Sequence, residues 1–380
     1  MLTTKEVLAT RAVNEKRTRL IVRLLYSVGV NISAPSRIKD ALKIITLFLI
    51  VVAIASFCGH LRELKPHLSN FTESTQAILT LCQLISATVK LTYLSFNQRR
   101  FYEQLEQVLS HRLLENIDIF RKDYPINAKL KEEIKSVMND VWRWTRKQIL
   151  IYSYVYVGIL SIYCVPPILL NFYHQVKGTP NFSYITSTTY FDLLFVVLCQ
   201  HAIGLMRVLC LMALRSTTDL VPRAARVDYM RSCIRHHQRT VIFISDTQQL
   251  FKHVVLTHFL TTIFELALIL FNISLATKIE KLTIIRMIVY VMTVSAMSAI
   301  YCYNAQQFSN ASEEISLAFY NCMWYEESRE FKRLVQMMIL RTNEVLHFDI
   351  SWFAQMNMAT FIAMYKMSYS YFLLLLDVSN

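Results

Sequence analysis

The chain has 380 residues, 54% of them hydrophobic and 18% charged, with five Gly and seven Pro. That composition excludes collagen-like, disordered and disulfide-stapled classes, and a mean hydropathy of +0.34 argues against an ordinary soluble domain. The net charge of +13 fits nucleic acid, anionic lipid or the cytoplasmic loops of a membrane protein, and the position of the basic residues decides between them.

A membrane-spanning helix needs about 20 mostly apolar residues. Seven such stretches occur in chain order: Ile44 to Cys58, Phe71 to Phe96, Ile149 to Leu170, Tyr190 to Leu214, Val254 to Thr277, Thr283 to Tyr303 and Ser351 to Leu376. Spans two and four each contain an ionisable group, Lys90 and Arg207. Residues 1–43 carry nine Lys+Arg and no long apolar core, so no secretory signal peptide is expected there. With the N-terminus inside, segments 1–43, 97–148, 215–255 and 304–350 face the cytoplasm and hold 31 of the 40 Lys+Arg. The positive charge then reports topology and not nucleic-acid binding. The same orientation puts the sequons at Asn70 and Asn181 outside, where glycosylation is expected. A metabotropic seven-helix receptor has the opposite orientation. This chain also lacks an Asp-Arg-Tyr at span three and an Asn-Pro-x-x-Tyr in span seven.

The inner segments read as helices that continue the spans. Residues 127–147 are acidic early and basic late, and 223–252 form a basic stretch leading into span five. The expected architecture is therefore an all-α membrane protein of seven transmembrane helices, N-terminus cytoplasmic and C-terminus extracellular, extended into a cytoplasmic anchor bundle. Two regions are expected: 1–312, with spans one to six, and 313–380, with an anchor helix and span seven. From Glu313 to Arg341 apolar residues recur at three- or four-residue steps around a charged run, Glu326 to Arg333. That pattern reads as a helical hairpin or broken amphipathic helix, packing on its own bundle or on another subunit. Trp324, Tyr325 and Trp352 are the aromatic anchors an interface would use.

Tyr320-Asn321-Cys322-Met323-Trp324-Tyr325, then Leu334, Met338-Ile339-Leu340-Arg341, Phe353, Phe361 and Lys366-Met367-Ser368-Tyr369-Ser370-Tyr371-Phe372 together resemble the C-terminal signature of insect odorant receptors. The family often has Lys-Pro and a Gly before the last span, where this chain has Asn343-Glu344-Val345 and Ile350-Ser351. The resemblance implies an odorant-gated, non-selective cation channel, a tetramer around one pore lined by the last helix. It further implies an odour-tuning subunit partnered with the odorant receptor co-receptor, at the plasma membrane of sensory-neuron dendrites. A gustatory-type channel is the nearest alternative, but its usual Thr-Tyr and Gln-Phe ending is absent here.

By the same resemblance the constriction lies in the last turns of span seven, with Leu373 and Leu376 at the gate and Asp377 in the outer vestibule. A dewettable wall with an acidic mouth suits cation passage. Lys366 is an intramembrane charge expected to face the inner widening or a neighbouring acid.

The resemblance also places a ligand among the outer halves of spans two to six. The candidates there are Gln76, Leu79, Thr80 and Gln83 on span two; Tyr152, Tyr156, Ile159 and Tyr163 on span three; Phe191, Leu194 and Phe195 on span four; and Leu268, Asn272, Ile288 and Met292 on spans five and six. The span-three residues share one helix face, a pattern that equally describes packing. Such walls would bind a small volatile by apolar burial, roughly 25 cal/mol per Å², and the aromatic content favours an aromatic or heterocyclic ligand. The eight cysteines and the histidines show no metal-ligand spacing, and no catalytic motif is visible, so neither an enzyme nor a cofactor is expected.

Overall fold

The computed structural model describes residues 71–115, 117–122, 124–174, 182–274, 281–351 and 354–379, with Val51, Ile54, Cys58 and Arg62 before them. Span one, Asn70, Asn181 and Trp352 lie outside the described residues. The helices are α1 (Phe71–Phe96), α2 (Gln98–Leu109), α3 (Arg112–Glu115), α4 (Ile126–His174), α5 (Phe182–Arg215), α6 (Arg226–Ser274), α7 (Lys281–Asn321), α8 (Arg329–Thr342) and α9 (Met358–Ser379). Spans two to seven are carried by α1, α4, α5, α6, α7 and α9.

The expected inner extensions are real and long. Helices α4 and α6 run 49 residues each and α7 runs 41, far beyond what a bilayer needs. Helix α7 passes through residue 312 without a break, so the first anchor helix is the lower half of span six. The chain then turns through a short 3-10 segment at Trp324–Glu326 and returns as α8. Ser328 caps α8 by accepting from the Phe331 backbone N–H, with Glu330 in the first turn and Arg341 in the last, as the helix dipole favours.

Between α8 and α9 the chain forms a small antiparallel hairpin, Asp349–Ser351 against Ala354–Gln355. Gln248 of α6 donates to Asp349 Oδ2 at 2.9 Å and ties the hairpin down. Span seven therefore starts at Met358, several residues after the Ser351 expected from hydropathy. The Asn357 carboxamide caps it by accepting from the Thr360 N–H at 2.8 Å.

The largest departure concerns span four. The most apolar part of α5, from Phe191, is wrapped by α4, α6 and α7. Phe191 and Phe195 pack on Phe251, Phe191 also on Phe101, and Phe195 also on Phe348, all from the inner segments. Arg207, in the inner half of the expected span, is exposed. A helix apolar all round is a core helix as readily as a membrane span. The lower two-thirds of α5 is the axis of the anchor, and only its upper third stands level with the membrane parts of its neighbours. Gly204 lets α4 approach this axis, because a Cβ there would lie 2.9 Å from Met138 Sδ.

Charged pairs fasten the anchor. Arg226 donates to Glu327 and to the Val221 carbonyl, joining α6 to the α7–α8 turn. Arg215 forks onto both oxygens of Glu133 at 2.8 and 3.1 Å, joining α5 to α4.

Candidate functional site

Three features of the membrane half carry chemistry: a buried ion cluster, a polar stripe on α6 and the outward face of α9. The ion cluster lies where five helices meet. Lys90 of α1 donates to Asp192 Oδ1 of α5 at 2.7 Å, and Tyr152 of α4 donates to Oδ2 at 2.8 Å. Tyr301 of α7 also donates to Oδ1, and its ring leans on His258 of α6 at 5.3 Å. Lys90 is 3% and Asp192 5% exposed. Two charges this deep survive only because each is paired and hydrogen-bonded. Lys90 is near the inner end of α1, Tyr152 near the start of span three and Tyr301 near the end of span six. Their meeting point marks the floor of the membrane bundle.

Above this floor, α1, α6 and α7 enclose a smaller apolar cluster of Ile269, Tyr290 and Val294, flanked by Leu79, Met287 and Val291. Its polar members are paired across helices. Thr75 donates to Asn272 Oδ1 at 2.8 Å, and Tyr290 donates to Glu265 Oε2 at 2.9 Å. By contrast, the cleft of about 280 Å³ at the inner face is lined by Asp118, Arg121, Lys122, Asp228 and Arg235. Charges of both signs there do not suit an apolar volatile. Lys122 sits 2.7 Å from Asp228 and holds that carboxyl below its usual range.

Helix α9 has two distinct faces. Met364 and Ser368 are buried on α6 and α7, with Phe361, Phe372 and Leu375 half-buried beside them. Lys366, Ser370, Leu373 and Asp377, at i, i+4, i+7 and i+11, form an exposed stripe about half a turn away. Leu376 lies between the two faces and is half-buried. Tyr371 stacks on Phe264 of α6 at 5.6 Å, linking α9 to span five. In the anchor, Trp324 is half-buried against the protein's own core. Tyr325 is exposed beside Tyr320 and Met323 and facing outward with Leu317 and Leu340.

Comparison with known proteins gives this architecture a place. Residues 181–369 match the family model described as 7tm Odorant receptor. Odorant receptor 63a of Drosophila melanogaster is 34% identical over 100% of both chains. The chain belongs to the insect odorant receptor family. Odorant receptor 67b of Drosophila melanogaster is 23% identical over 93% of each chain. The odorant receptor coreceptor of Aedes aegypti matches only 39% of this chain and 32% of its own length, at 24% identity. This odorant receptor is thus of the tuning type and not the coreceptor. Its fold is that of the olfactory receptor OR5 from Machilis hrabei in complex with eugenol, with a TM-score of 0.78 and 14% identity over 97% of this chain and 99% of that one. Members of the family are odorant-gated cation channels working with the coreceptor, so this receptor is a membrane protein and not an enzyme.

Within the receptor, the structure redistributes the expected ligand residues. Leu79 and Asn272 come together at the outer cluster between α1 and α6, and Leu268 is buried one turn below Asn272 on α6. Gln76 and Thr80 stand on the same stretch of α1, and Tyr156, Ile159 and Tyr163 on α4, with side chains outside the described residues. Phe191, Leu194 and Phe195 are buried in the core, Phe191 and Phe195 against aromatic rings of the inner segments. Tyr152 is a member of the ion cluster, its hydroxyl committed to Asp192. Gln83 is exposed, and Ile288 and Met292 face out of the bundle, half a turn from the inward Tyr290 and Val294. Asp192, His258, Glu265 and Tyr290 are buried polar residues of these clusters that hydropathy passed over. The signal that could have found His258 and Glu265 is their recurrence with Asn272 at seven-residue steps within an apolar span.

Proposed function

We propose that this receptor is the odour-tuning subunit of a heterotetrameric, non-selective cation channel formed with the odorant receptor co-receptor. The pore is lined by the α9 stripe of Lys366, Ser370, Leu373 and Asp377. The observation that carries this reading is that α9 is apolar yet covered by its own chain on one face only, with a semi-polar stripe opposite that face. Leu373 forms the gate, Leu376 supports it from the flank, and Asp377 concentrates cations at the outer mouth. The outward anchor surface around Tyr325, with Trp352, meets a neighbouring subunit. The N-terminus is cytoplasmic, the sequons at Asn70 and Asn181 are extracellular and glycosylated, and the complex resides in the plasma membrane of sensory dendrites.

A small volatile binds in the outer half of the bundle between α1, α4, α6 and α7. Leu79, Leu268 and Asn272 line that site together with Gln76, Thr80, Tyr156, Ile159 and Tyr163. Eugenol bound to the structurally similar receptor is a small aromatic volatile, the ligand class favoured here. Occupancy opens the channel only if the open state binds the ligand better. The Phe264–Tyr371 stack transmits movement of α6 to α9.

The test is expression with and without the co-receptor while G-protein signalling is blocked. Odour-evoked current that requires the co-receptor and no G protein supports the proposal. Current that disappears with the G protein contradicts it.

A further inference from the structure

The polar stripe of α6 has two hydrogen-bonding capacities left over. His258, Thr262, Glu265 and Asn272 stand at i, i+4, i+7 and i+14 on one inward face of an otherwise apolar span. Ser298 of α7 reaches His258 Nε2 at 3.3 Å, Tyr290 donates to Glu265 Oε2, and Thr75 donates to Asn272. The Thr262 hydroxyl is 1% exposed and has no hydrogen-bond partner. Glu265 is 5% exposed, and among the described residues its second oxygen, Oε1, accepts no hydrogen bond.

Residues three apart on a helix are neighbours, so Thr262 and Glu265 share one stretch of the inward face of α6. The surroundings are apolar: Ile269 is one turn above Glu265 on α6, Val294 one turn from Tyr290 on α7, and Leu79 flanks both from α1. Buried polar atoms without partners are costly, and native proteins leave few of them. Tyr290 already donates to Oε2, which leaves Oε1 as an acceptor next to the Thr262 donor.

We propose that Thr262 and Glu265 form the polar recognition point for a volatile alcohol or phenol. The ligand oxygen accepts from Thr262 Oγ1–H, and the ligand O–H donates to Glu265 Oε1. Its hydrocarbon skeleton packs against Leu79, Ile269 and Val294. A hydroxyl is the smallest group that both accepts and donates. A methyl ether of the same skeleton can only accept, and a hydrocarbon does neither. A site that hydrogen-bonds a hydroxyl discriminates against analogues lacking it, because its buried polar groups are then left unpaired.

This inference rests on the odour-tuning reading. The test expresses the full chain with the co-receptor and measures dose-response to hexanol, benzyl alcohol and 2-phenylethanol, each against its methyl ether. Wild type is expected to prefer alcohols by about tenfold or more, the scale of one well-placed hydrogen bond. Glu265→Leu should raise the alcohol half-maximal concentration by about tenfold and leave the ether response in place, whereas Thr262→Val removes the donor that alcohol and ether oxygens share and should raise both. Glu265→Gln keeps an acceptor oxygen and should retain part of the preference. Thr262→Val removes only a hydroxyl at nearly constant shape and should leave the response to the matching hydrocarbons unchanged, so alcohol against hydrocarbon carries the test if Glu265→Leu fails to reach the surface.

Equal shifts for alcohols and ethers in Glu265→Leu, or a Thr262→Val shift that extends to the hydrocarbons, would reveal a purely structural role and overturn the proposal, as would a wild type that does not distinguish alcohols from ethers. The two readings fail separately. Coreceptor-dependent current evoked by ethers or hydrocarbons alone removes the hydroxyl site and leaves the channel. A hydroxyl preference in a current that needs a G protein removes the channel and leaves the site.

Discussion

Helices α5 and α9 are both long and apolar enough to cross a membrane, and they end up in opposite surroundings. Of their most apolar stretches, 89% is buried inside the protein in α5 and 11% in α9. Apolarity reports that a helix needs cover; it does not say what provides it. Helix α5 is covered by its own chain, aromatic ring against aromatic ring, down the axis of the anchor. Helix α9 buries one stripe on α6 and α7 and leaves the remainder uncovered by its own chain. Substitutions in α5 should therefore act on folding, and substitutions on the outward face of α9 should act on conduction.

The sharpest way to break this contrast is to strand a charge against α5. Asp192→Leu leaves Lys90 buried without its acid, at a cost of about 3–5 kcal/mol, and should abolish surface receptor measured by antibody labelling. The double variant Lys90→Met with Asp192→Leu removes both charges and should recover much of that labelling. If the single variant reached the surface normally, the ion cluster would not be the floor of the bundle. Phe195→Ala tests the aromatic axis of α5 and should cost about 3–5 kcal/mol, again seen as lost surface labelling. Leu373→Ala on the open face of α9 should leave labelling unchanged while altering current.

Next in size is an effect confined to the anchor. Burial lowers His236 to about 4 from an ordinary value of 6.5. The unfolded chain then binds a proton that the folded chain refuses, so this group subtracts stability as pH falls from 6.5 towards 4. Thermal unfolding of purified receptor should show this loss, and His236→Leu should flatten it. Smaller again is Asp377→Asn, expected to reduce permeability to divalent over monovalent cations without changing surface labelling. The smallest effect belongs to Lys122→Ala. Its ion pair with Asp228 lies in solvent and should leave both expression and current unchanged.

Much of this was legible in the sequence, and the reason differs by region. The C-terminal run from Tyr320 to Phe372 carried the family, and the charged inner segments carried the topology, because both are patterns along the chain. The turn at Glu326 to Arg333 was visible as a charged interruption of an amphipathic repeat and became the α7–α8 hairpin. The depth of α5 was not legible, because hydropathy treats a helix wrapped in Phe101, Phe251 and Phe348 like one wrapped in lipid. Lys90 stood out as an intramembrane charge, but its partner Asp192 lies 102 residues away and pairing at that distance leaves no local signal. The outward stripe of α9 needed the buried stripe as a reference: Leu373 and Leu376 look alike in sequence, and only packing puts one on the open face and the other on the flank.

The central claim is that this open face lines the ion path. Cysteine placed singly at Leu373 and at Ser368, in receptors expressed with the co-receptor, tests it with a charged thiol reagent applied during the odour-evoked current. Ser368 is 0% exposed, with its hydroxyl bonded to the Met364 carbonyl at 2.9 Å, whereas Leu373 is exposed on the stripe. The account predicts rapid block at position 373 and none at 368. Block at 368 with no effect at 373 would contradict it.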